Sequence, residues 1–523
     1  MRPFYPLLAA LALGLVPLTA QAQITVALSG NWSDPATWSG GAVPTATDDV
    51  VIDSTVTIDV DDAVANNVTI RGEGDADGWL RMDRGGVDNV AKGITIFGDL
   101  TIDADGEFRP LSNQDEDTSV GFGEIYHRLT IHGSIDNSSG GTFDMRRGAT
   151  STDPPSAAFI DLIFAGDEDA TLHLGDYDNN DNQLFRTEIA KENGATVTLL
   201  NDATMDNNSR ATFTLTSGYL DTGDFRFTLI SNNSSVVVGG SPASYVIGEL
   251  ARGLPKGTVS SQNNRFYPVG DEDGYRPVTV YVTERPSDDQ FFGVRAISGD
   301  ADSGSSTFEG GLTDVSPVRY YAFEWYFFDS SDAINIDRIE ISYGGDDEVP
   351  EGSTDFVVAS SIDDFTTWTN AGGFDTDGTT AHLTSLASPP TAIQSSDLSG
   401  WEFDFEVVGT DVVGDVYYAA VGTTGAFGTS VSRGPEVEAL RLGASPNPTS
   451  GSATISFALD APADVTVEVF DVMGRRVATL ADGTLAAGAQ ELTWDGAGLA
   501  AGLYHVRLRA GSVVAARTLS IVR

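Results

Sequence analysis

The sequence predicts an all-β protein: an N-terminal parallel β-helix, an antiparallel β-sandwich, and a small C-terminal Ig-like β-sandwich. Three observations carry this. Apolar and polar residues alternate over short runs, as at residues 55–60, 196–200 and 212–215; a period of two belongs to strands with one buried face. The 57 glycines, with asparagine and aspartate, punctuate those runs, and almost nothing has a helical period. A short pattern also recurs. Ile94-Thr95-Ile96-Phe97-Gly98-Asp99-Leu100 is echoed by Leu129-Thr130-Ile131-His132-Gly133-Ser134-Ile135, each a strand, a glycine and a second strand.

Residues 1–22 read as a secretory signal. Arg2 supplies the positive end, residues 7–18 are apolar, and Ala20-Gln21-Ala22 is a small-x-small cleavage pattern. Cleavage is expected after Ala22, leaving Gln23 as the new N-terminus. The apolar run is too short to span a bilayer, and no later stretch reaches the roughly 18 apolar residues a membrane helix needs. The chain is therefore expected outside the cell or on its outer surface, with no transmembrane segment after cleavage.

Charge and cysteine content exclude several classes. With no cysteine, the chain has no disulfide, no thiolate metal site and no thiol nucleophile. With 29 basic against 76 acidic residues the net charge is −47, a surface that repels nucleic acid and anionic lipid. Lysine occurs only at Lys92, Lys191 and Lys256. Residues 442–523 hold seven acids and six bases, near −1, so almost the whole excess lies upstream. A shift this sharp marks a domain boundary.

Residues 23–240 are expected to form the β-helix, with further strands near 159–164, 171–174 and 225–229. Irregular spacers between many short strands fit stacked coils that bury their inward residues on one another. The irregular period leaves a sandwich open. Positive φ at the corners explains the glycine and asparagine content. Trp32 and Trp38 are expected to cover the first coil, since a bare solenoid end exposes apolar surface and strand edges; stacking on a sugar ring is the alternative. Residues 241–421 follow as a β-sandwich, with strands near 278–282, 320–328, 334–343, 355–359 and 401–408. A Gly/Ser/Thr-rich linker is expected at 422–439. The last domain, 440–523, alternates cleanly: Val465, Val467 and Val469 share one face, as do Tyr504, Val506 and Leu508.

The motif Gly30-Asn31-Trp32-Ser33-Asp34-Pro35-Ala36-Thr37-Trp38, with Pro44 and Asp48-Asp49-Val50-Val51-Ile52, resembles the opening of surface-protein modules from the phylum Bacteroidota and its relatives. That resemblance implies a capped right-handed β-helix with a sandwich after it. The stretch from Phe266-Tyr267-Pro268 to Tyr275-Arg276-Pro277 is similar to a junction motif in the same proteins. Pro446-Asn447-Pro448, then 469–477, then Leu499-Ala500-Ala501-Gly502-Leu503-Tyr504 and the terminal 517–523 resemble a type IX secretion C-terminal (type A) sorting domain. This implies export by the type IX machinery, with cargo attached to surface lipopolysaccharide or released. Its motif residues are Pro446, Asn447, Pro448, Gly474, Gly502 and Tyr504. Arg517 replaces the usual lysine and keeps the charge. A related Ig-like domain of flagellar hook assembly shares the Asp471-to-Gly474 turn and Trp494-Asp495-Gly496; the signal and the terminal position favour the sorting reading.

No catalytic motif stands out: there is no phosphate-binding GxxxxGK[ST], HExxH or GxSxG. The five histidines are scattered, and His127 and His132 fall in different strand phases. Among so many carboxylates, Asp161 near Glu168 and Asp176 with Asp178 are pairs of a kind β-helix hydrolases use, but chance supplies such pairs, and none is assigned as catalytic. Asp176, Asp178 and Asn180 place oxygens at alternate positions, as calcium loops do, but depart from the EF-hand: Asp181 stands where glycine is needed and Thr187 at position twelve. Asp271-Glu272-Asp273-Gly274 and Asp375-Thr376-Asp377-Gly378 are shorter versions, for which a plain turn is favoured. In 320–328, Tyr321, Phe323, Trp325 and Phe327 should be core. Tyr320, Tyr326 and Phe328 face the other way, for sugar stacking or, more simply, a second covered side.

Two functions fit: a noncatalytic surface or secreted β-protein serving adhesion, matrix or glycan binding, and a polysaccharide-degrading enzyme on the β-helix. If calcium stabilises the solenoid through Asp176, Asp178 and Asn180, chelator will lower the melting midpoint; an unchanged midpoint contradicts that assignment.

Overall fold

The computed structural model describes residues 23–25, 28–72, 78–83, 90–111, 124–148, 157–175, 182–254, 264–271, 273–282, 290–300, 302, 306–327, 336–343, 356–363, 365–372, 391–395, 398, 405–408, 411–414, 416–424, 443–445, 452–459, 462–471, 476–496, 498–499, 502–510 and 513–521. Among them the helical pieces are single 3-10 turns, Pro35–Thr37 and Ser234–Val236; everything else regular is strand, in parallel and antiparallel sheets. No helix among the described residues is long and apolar enough to cross a membrane. The chain divides into two compact units, Met1–Gly425 and Ala426–Arg523.

The first unit begins as a parallel β-helix with three faces. The first face stacks Gln23–Thr25, Asp49–Ile52, Val68–Ile70, Leu100–Ile102, Ile135–Asp136, Ala170–His173 and Thr196–Leu199. The second stacks Gly30–Asn31, Thr55–Ile58, Gly78–Met82, Gly106–Pro110 and Thr142–Phe143. The third runs from Ala63–Ala65 through Gly93–Ile96, Ile125–Ile131, Ala158–Phe164, Arg186–Ala190 and Thr212–Ser217 to Val237–Gly239. The sequence repeat is two neighbouring coils in register: Ile94 pairs with Leu129, Ile96 with Ile131 and Leu100 with Ile135. All six are at most 2 % exposed, each contributing roughly 1.5–3 kcal/mol by burial.

The glycines of that repeat have a different reason from the one expected. Gly166, Gly175, Gly194 and Gly218 do take positive φ, but Gly98 and Gly133 are needed for close approach. At this corner each coil supplies an acceptor for the backbone of the next. Asn67 Oδ1 accepts from Asp99 N (2.8 Å), Asp99 Oδ1 from Ser134 N (2.7 Å), and Ser134 Oγ from Thr171 N (2.9 Å). A Cβ on Gly98 would stand 2.1 Å from Asn67 Oδ1. One on Gly133 would stand 2.4 Å from Asp99 Oδ1 and 2.5 Å from the Gly98 carbonyl oxygen.

Both ends of the helix are covered. At the first, Trp32 and Trp38 are buried edge to face, ring centroids 4.9 Å apart. Trp38 Nε1 donates to the Trp32 carbonyl at 2.9 Å, and the Asp34 carboxylate accepts from Ala36 N. This is the cap expected from the sequence. At the other end the β-helix continues past residue 240. Gly223, expected to close it, instead bends the continuous strand Tyr219–Leu229 at φ +56. The next strand, Val246–Gly253, lies parallel to it and pairs on through Val269–Asp271.

The same strand opens the sandwich. Its second half pairs antiparallel with Gln290–Ser298, Leu250 opposite Val294. That sheet continues through Arg319–Phe327 and Val416–Thr423 to Phe356–Ser361. A second sheet holds Asn264–Tyr267, Val278–Val282, Ile336–Tyr343 and Thr391–Gln394. Gly422 and Thr423, expected in the linker, are strand residues; Gly422 is small because Leu312 and Ala359 press on it. Tyr321, Phe323 and Trp325 are core, while Tyr320 meets Phe365 and Tyr418 on the other side. The strand is thus covered on both faces there. Tyr326 and Phe327 lie in the strand, and Phe328 lies outside the described residues.

Buried charge fixes the junction. Arg319 pairs with Asp271, and both are nearly inaccessible. Arg252 and Arg265 are also buried. They donate to the carbonyls of Asn233 and Ser234, and of Asn232 and Gly253, respectively. Burial pushes the Arg252 guanidinium down to about 10.

In the second unit, Gly443–Ser445, Ser452–Leu459 and Gly488–Asp495 form one sheet, and Arg476–Leu485, Ala463–Asp471, Gly502–Ala510 and Val513–Ile521 the other. Val465, Val467, Val469, Tyr504, Val506 and Leu508 are buried with Trp494 in one core. Arg507 is exposed, as its strand phase requires.

Replacing Gly133 by alanine forces backbone apart and is expected to cost about 1–3 kcal/mol. Gly40, with nothing within 4 Å of an added Cβ, is the control: Gly40→Ala leaves the denaturant midpoint unchanged and Gly133→Ala lowers it.

Candidate functional site

Outward-facing aromatics and charged groups gather on one flank of the β-helix, where the second face turns into the third. Alternation along Gly78–Met82 turns Leu80 and Met82 inward and Trp79 and Arg81 outward. The next coil places Glu107 beside Trp79 and Arg109 beside Arg81. The guanidinium carbons of Arg81 and Arg109 stand 3.8 and 5.0 Å from the centre of the Trp79 ring. Arg109 Nε lies 3.0 Å from Glu107.

A short strand, Arg146–Arg147, carries the chain around the corner, antiparallel to Ala158–Phe164. Arg147 bridges two carboxylates, Asp144 at 2.9 Å and Glu107 at 3.2 Å. Arg146 meets Asp206 at 2.7 Å. Asp206 Oδ1 accepts from Asn208 N and Asn208 Oδ1 from Arg210 N, which sets Arg210 against Glu124. The Tyr126 hydroxyl donates to Glu124 at 2.9 Å. The Arg186 guanidinium lies 4.7 Å from the Tyr126 ring centre and pairs with Asp161. Under Tyr126 the rings of Phe159 and Phe185 stack in turn, centroids 5.0 and 4.8 Å apart, so the tyrosine rests on a rigid column.

The electrostatics follow from this pairing. Burial raises the Glu124 carboxyl, but hydrogen bonds from Arg210 and Tyr126 outweigh it and hold the group below its ordinary range. The hydrogen bond to Glu124 raises Arg210; burial, then Glu124, raises Tyr126. Each of Glu107, Glu124, Asp144, Asp161 and Asp206 is tied to arginine. That suits fixed recognition and gives little room for proton transfer.

The sequence candidates lie elsewhere or outside this band. Asp176, Asp178 and Asn180 fall outside the described residues, as do Asp375–Gly378, Pro446, Asn447, Pro448, Gly474 and Ala22. Gln23 opens the first strand, paired with Asp49. Gly502 opens a strand of the second unit, in which Tyr504 is buried 5.5 Å from the Trp494 ring. Asp161 pairs with Arg186, while Glu168 is exposed and offers its carbonyl to Lys191; the two form no carboxylate pair. Asp271 sits in a hairpin turn, accepting from the amides of Asp273 and Gly274 and from Arg319. His127 points into the core, its Nδ1 accepting from Lys92 N, whereas His132 is half-buried against Phe97. Lys191 is buried and donates to the carbonyls of His132 and Glu168; burial lowers its pKa. No group of three or more metal-ligating side chains is found among the described residues. An open depression of about 320 Å³ lies over Asp49, Asn67 and Asp99, whose side chains serve the corner ladder.

Sequence reasoning missed the flank because its members come from six coils. The available signal was phase: Trp79, Arg81, Glu107 and Arg109 occupy the outward positions of their strands.

Residues 443–512 match the FlgD Ig-like domain family, in agreement with a small Ig-like domain at the C-terminus. No curated protein and no solved structure matches the chain.

Because the folded pKa of Glu124 lies below its ordinary 4.5, its contribution to stability is present above that pH and lost as pH falls through the folded value. Glu124→Gln is expected to flatten the acid limb of the stability–pH curve below pH 4.5; an unaltered limb contradicts the pairing.

Proposed function

We propose that this chain is an exported, noncatalytic β-protein of the cell surface or its surroundings that binds a glycan through the flank of its β-helix. The observation that carries the reading is the band from Trp79 to Arg186. Aromatic rings and hydrogen-bonding groups stand together there on rigid strands, the combination a sugar needs: a flat apolar face and fixed polar partners.

The route outward rests on sequence. Cleavage after Ala22 would leave Gln23–Thr25 intact as the first strand. The second unit is read as a type IX sorting domain, delivered by that machinery and then removed or linked to lipopolysaccharide. Its Ig-like fold is compatible with this and equally with the hook-assembly relatives.

The second reading, a polysaccharide-degrading enzyme, draws on Arg147, which brings Glu107 and Asp144 onto one guanidinium. A glycan array and a reducing-end release assay on the mature chain separate the two. The expected result is retention on at least one class of glycan with no new reducing ends. Sugar release, abolished by Glu107→Gln, would overturn the noncatalytic reading.

A further inference from the structure

The ion pairs of the flank share a geometry that their number alone does not show. In most of them the carboxylate lies below and the arginine above. Asp144 is 4 % exposed and Arg147 36 %. Asp206 is 10 % exposed and Arg146 27 %, Glu124 21 % and Arg210 34 %. Asp161 and Arg186 are level, at 33 and 34 %. A carboxylate occupies one edge of a guanidinium, and a guanidinium carries five N–H donors. Each buried acid therefore orients an arginine whose other donors face solvent. Arg146, Arg147, Arg186 and Arg210 are linked through shared partners: Asp206 holds Arg146, the turn after Asp206 holds Arg210 on Glu124, and Tyr126 joins Glu124 to Arg186.

The outermost layer of this flank is thus cationic, in a chain whose net charge is −47. We propose that it is a binding surface for an acidic polysaccharide, whose carboxylate or sulfate groups pair with the outward N–H donors of these four arginines while a sugar ring lies against Tyr126. The inference rests on the glycan-binding reading and narrows it to anionic glycans. The excess negative charge of the chain acts at long range, and at physiological salt its field decays over about 8 Å; at contact the local layer decides. Guanidinium is suited to the role because it pairs with planar carboxylate and with sulfate-like anions through two parallel bonds. A rigid aromatic column beside the charges favours a ligand made of rings and anions together over an anion alone.

The test measures binding of the mature chain to size-matched immobilised polygalacturonate, dextran sulfate, neutral dextran and single-stranded DNA, at 50 and 200 mM salt. Polygalacturonate and dextran sulfate separate the two sources of anion. The expected result is retention on one or both, no retention on neutral dextran, weakening at the higher salt, and little binding to DNA. Arg186→Gln, whose partner Asp161 stays hydrated, is expected to weaken the interaction roughly tenfold with an unchanged melting midpoint. The paired substitution Glu124→Gln with Arg210→Gln leaves no buried charge unmatched and is expected to act similarly. Retention on neutral dextran alone would overturn this inference and leave glycan binding standing. Equal binding to DNA, or binding to acidic glycans that neither variant weakens, would also overturn it. Retention on none of the glycans would overturn both.

Discussion

A parallel β-helix is stable only where each coil has a neighbour, and most features of the first unit answer to that constraint. Inward residues such as Ile96 and Ile131 bury one another across coils. The end coils need substitutes for the missing neighbour. Trp32 and Trp38 serve at one end. At the other, Val246–Gly253 changes partners midway, parallel to the last coil and then antiparallel to the sandwich. The sheet is carried onward instead of ending in an open edge. Arg252, Arg265 and the Arg319–Asp271 pair hold that change of direction, and removing one member of such a buried pair typically costs about 3–5 kcal/mol.

The same stacking accounts for the candidate site. Side chains at equal phase in successive coils come within contact distance, so Trp79 meets Arg109 and Glu107 meets Arg147 without being close in sequence. Rigid backbone on both faces fixes their spacing. In a flexible loop the same residues would lose side-chain entropy on every contact. Here the ordering is supplied by the fold, and ion pairs between buried acids and outward arginines hold the guanidinium planes.

Much of the architecture was legible in the sequence because strand patterns are local. The Ile94 and Leu129 repeat gave two coils in register, the Trp32–Trp38 motif gave the cap, and Val465, Val467 and Val469 gave a buried face in the second unit. What failed was the reading of glycine. Gly223 was expected to end the helix and instead bends a strand, and Gly422 was expected in a flexible linker and sits in a sheet. Glycine marks both a free backbone and a crowded one, and only the neighbours distinguish them. The flank was illegible for a related reason: outward phase was readable for each strand, but coil length sets which outward residues meet, and the coils vary irregularly.

The most direct measurement of the central claim is hydrogen–deuterium exchange of the mature chain, with and without an acidic oligosaccharide. Exchange in the segments around Arg146–Arg147, Asp206–Arg210 and the start of Arg186–Ala190 should slow on binding, while the corner ladder at Asp99 and Ser134 and the sandwich stay unchanged. Slowing confined to the sandwich or to the corner ladder would contradict the assignment of recognition to the arginine-faced flank.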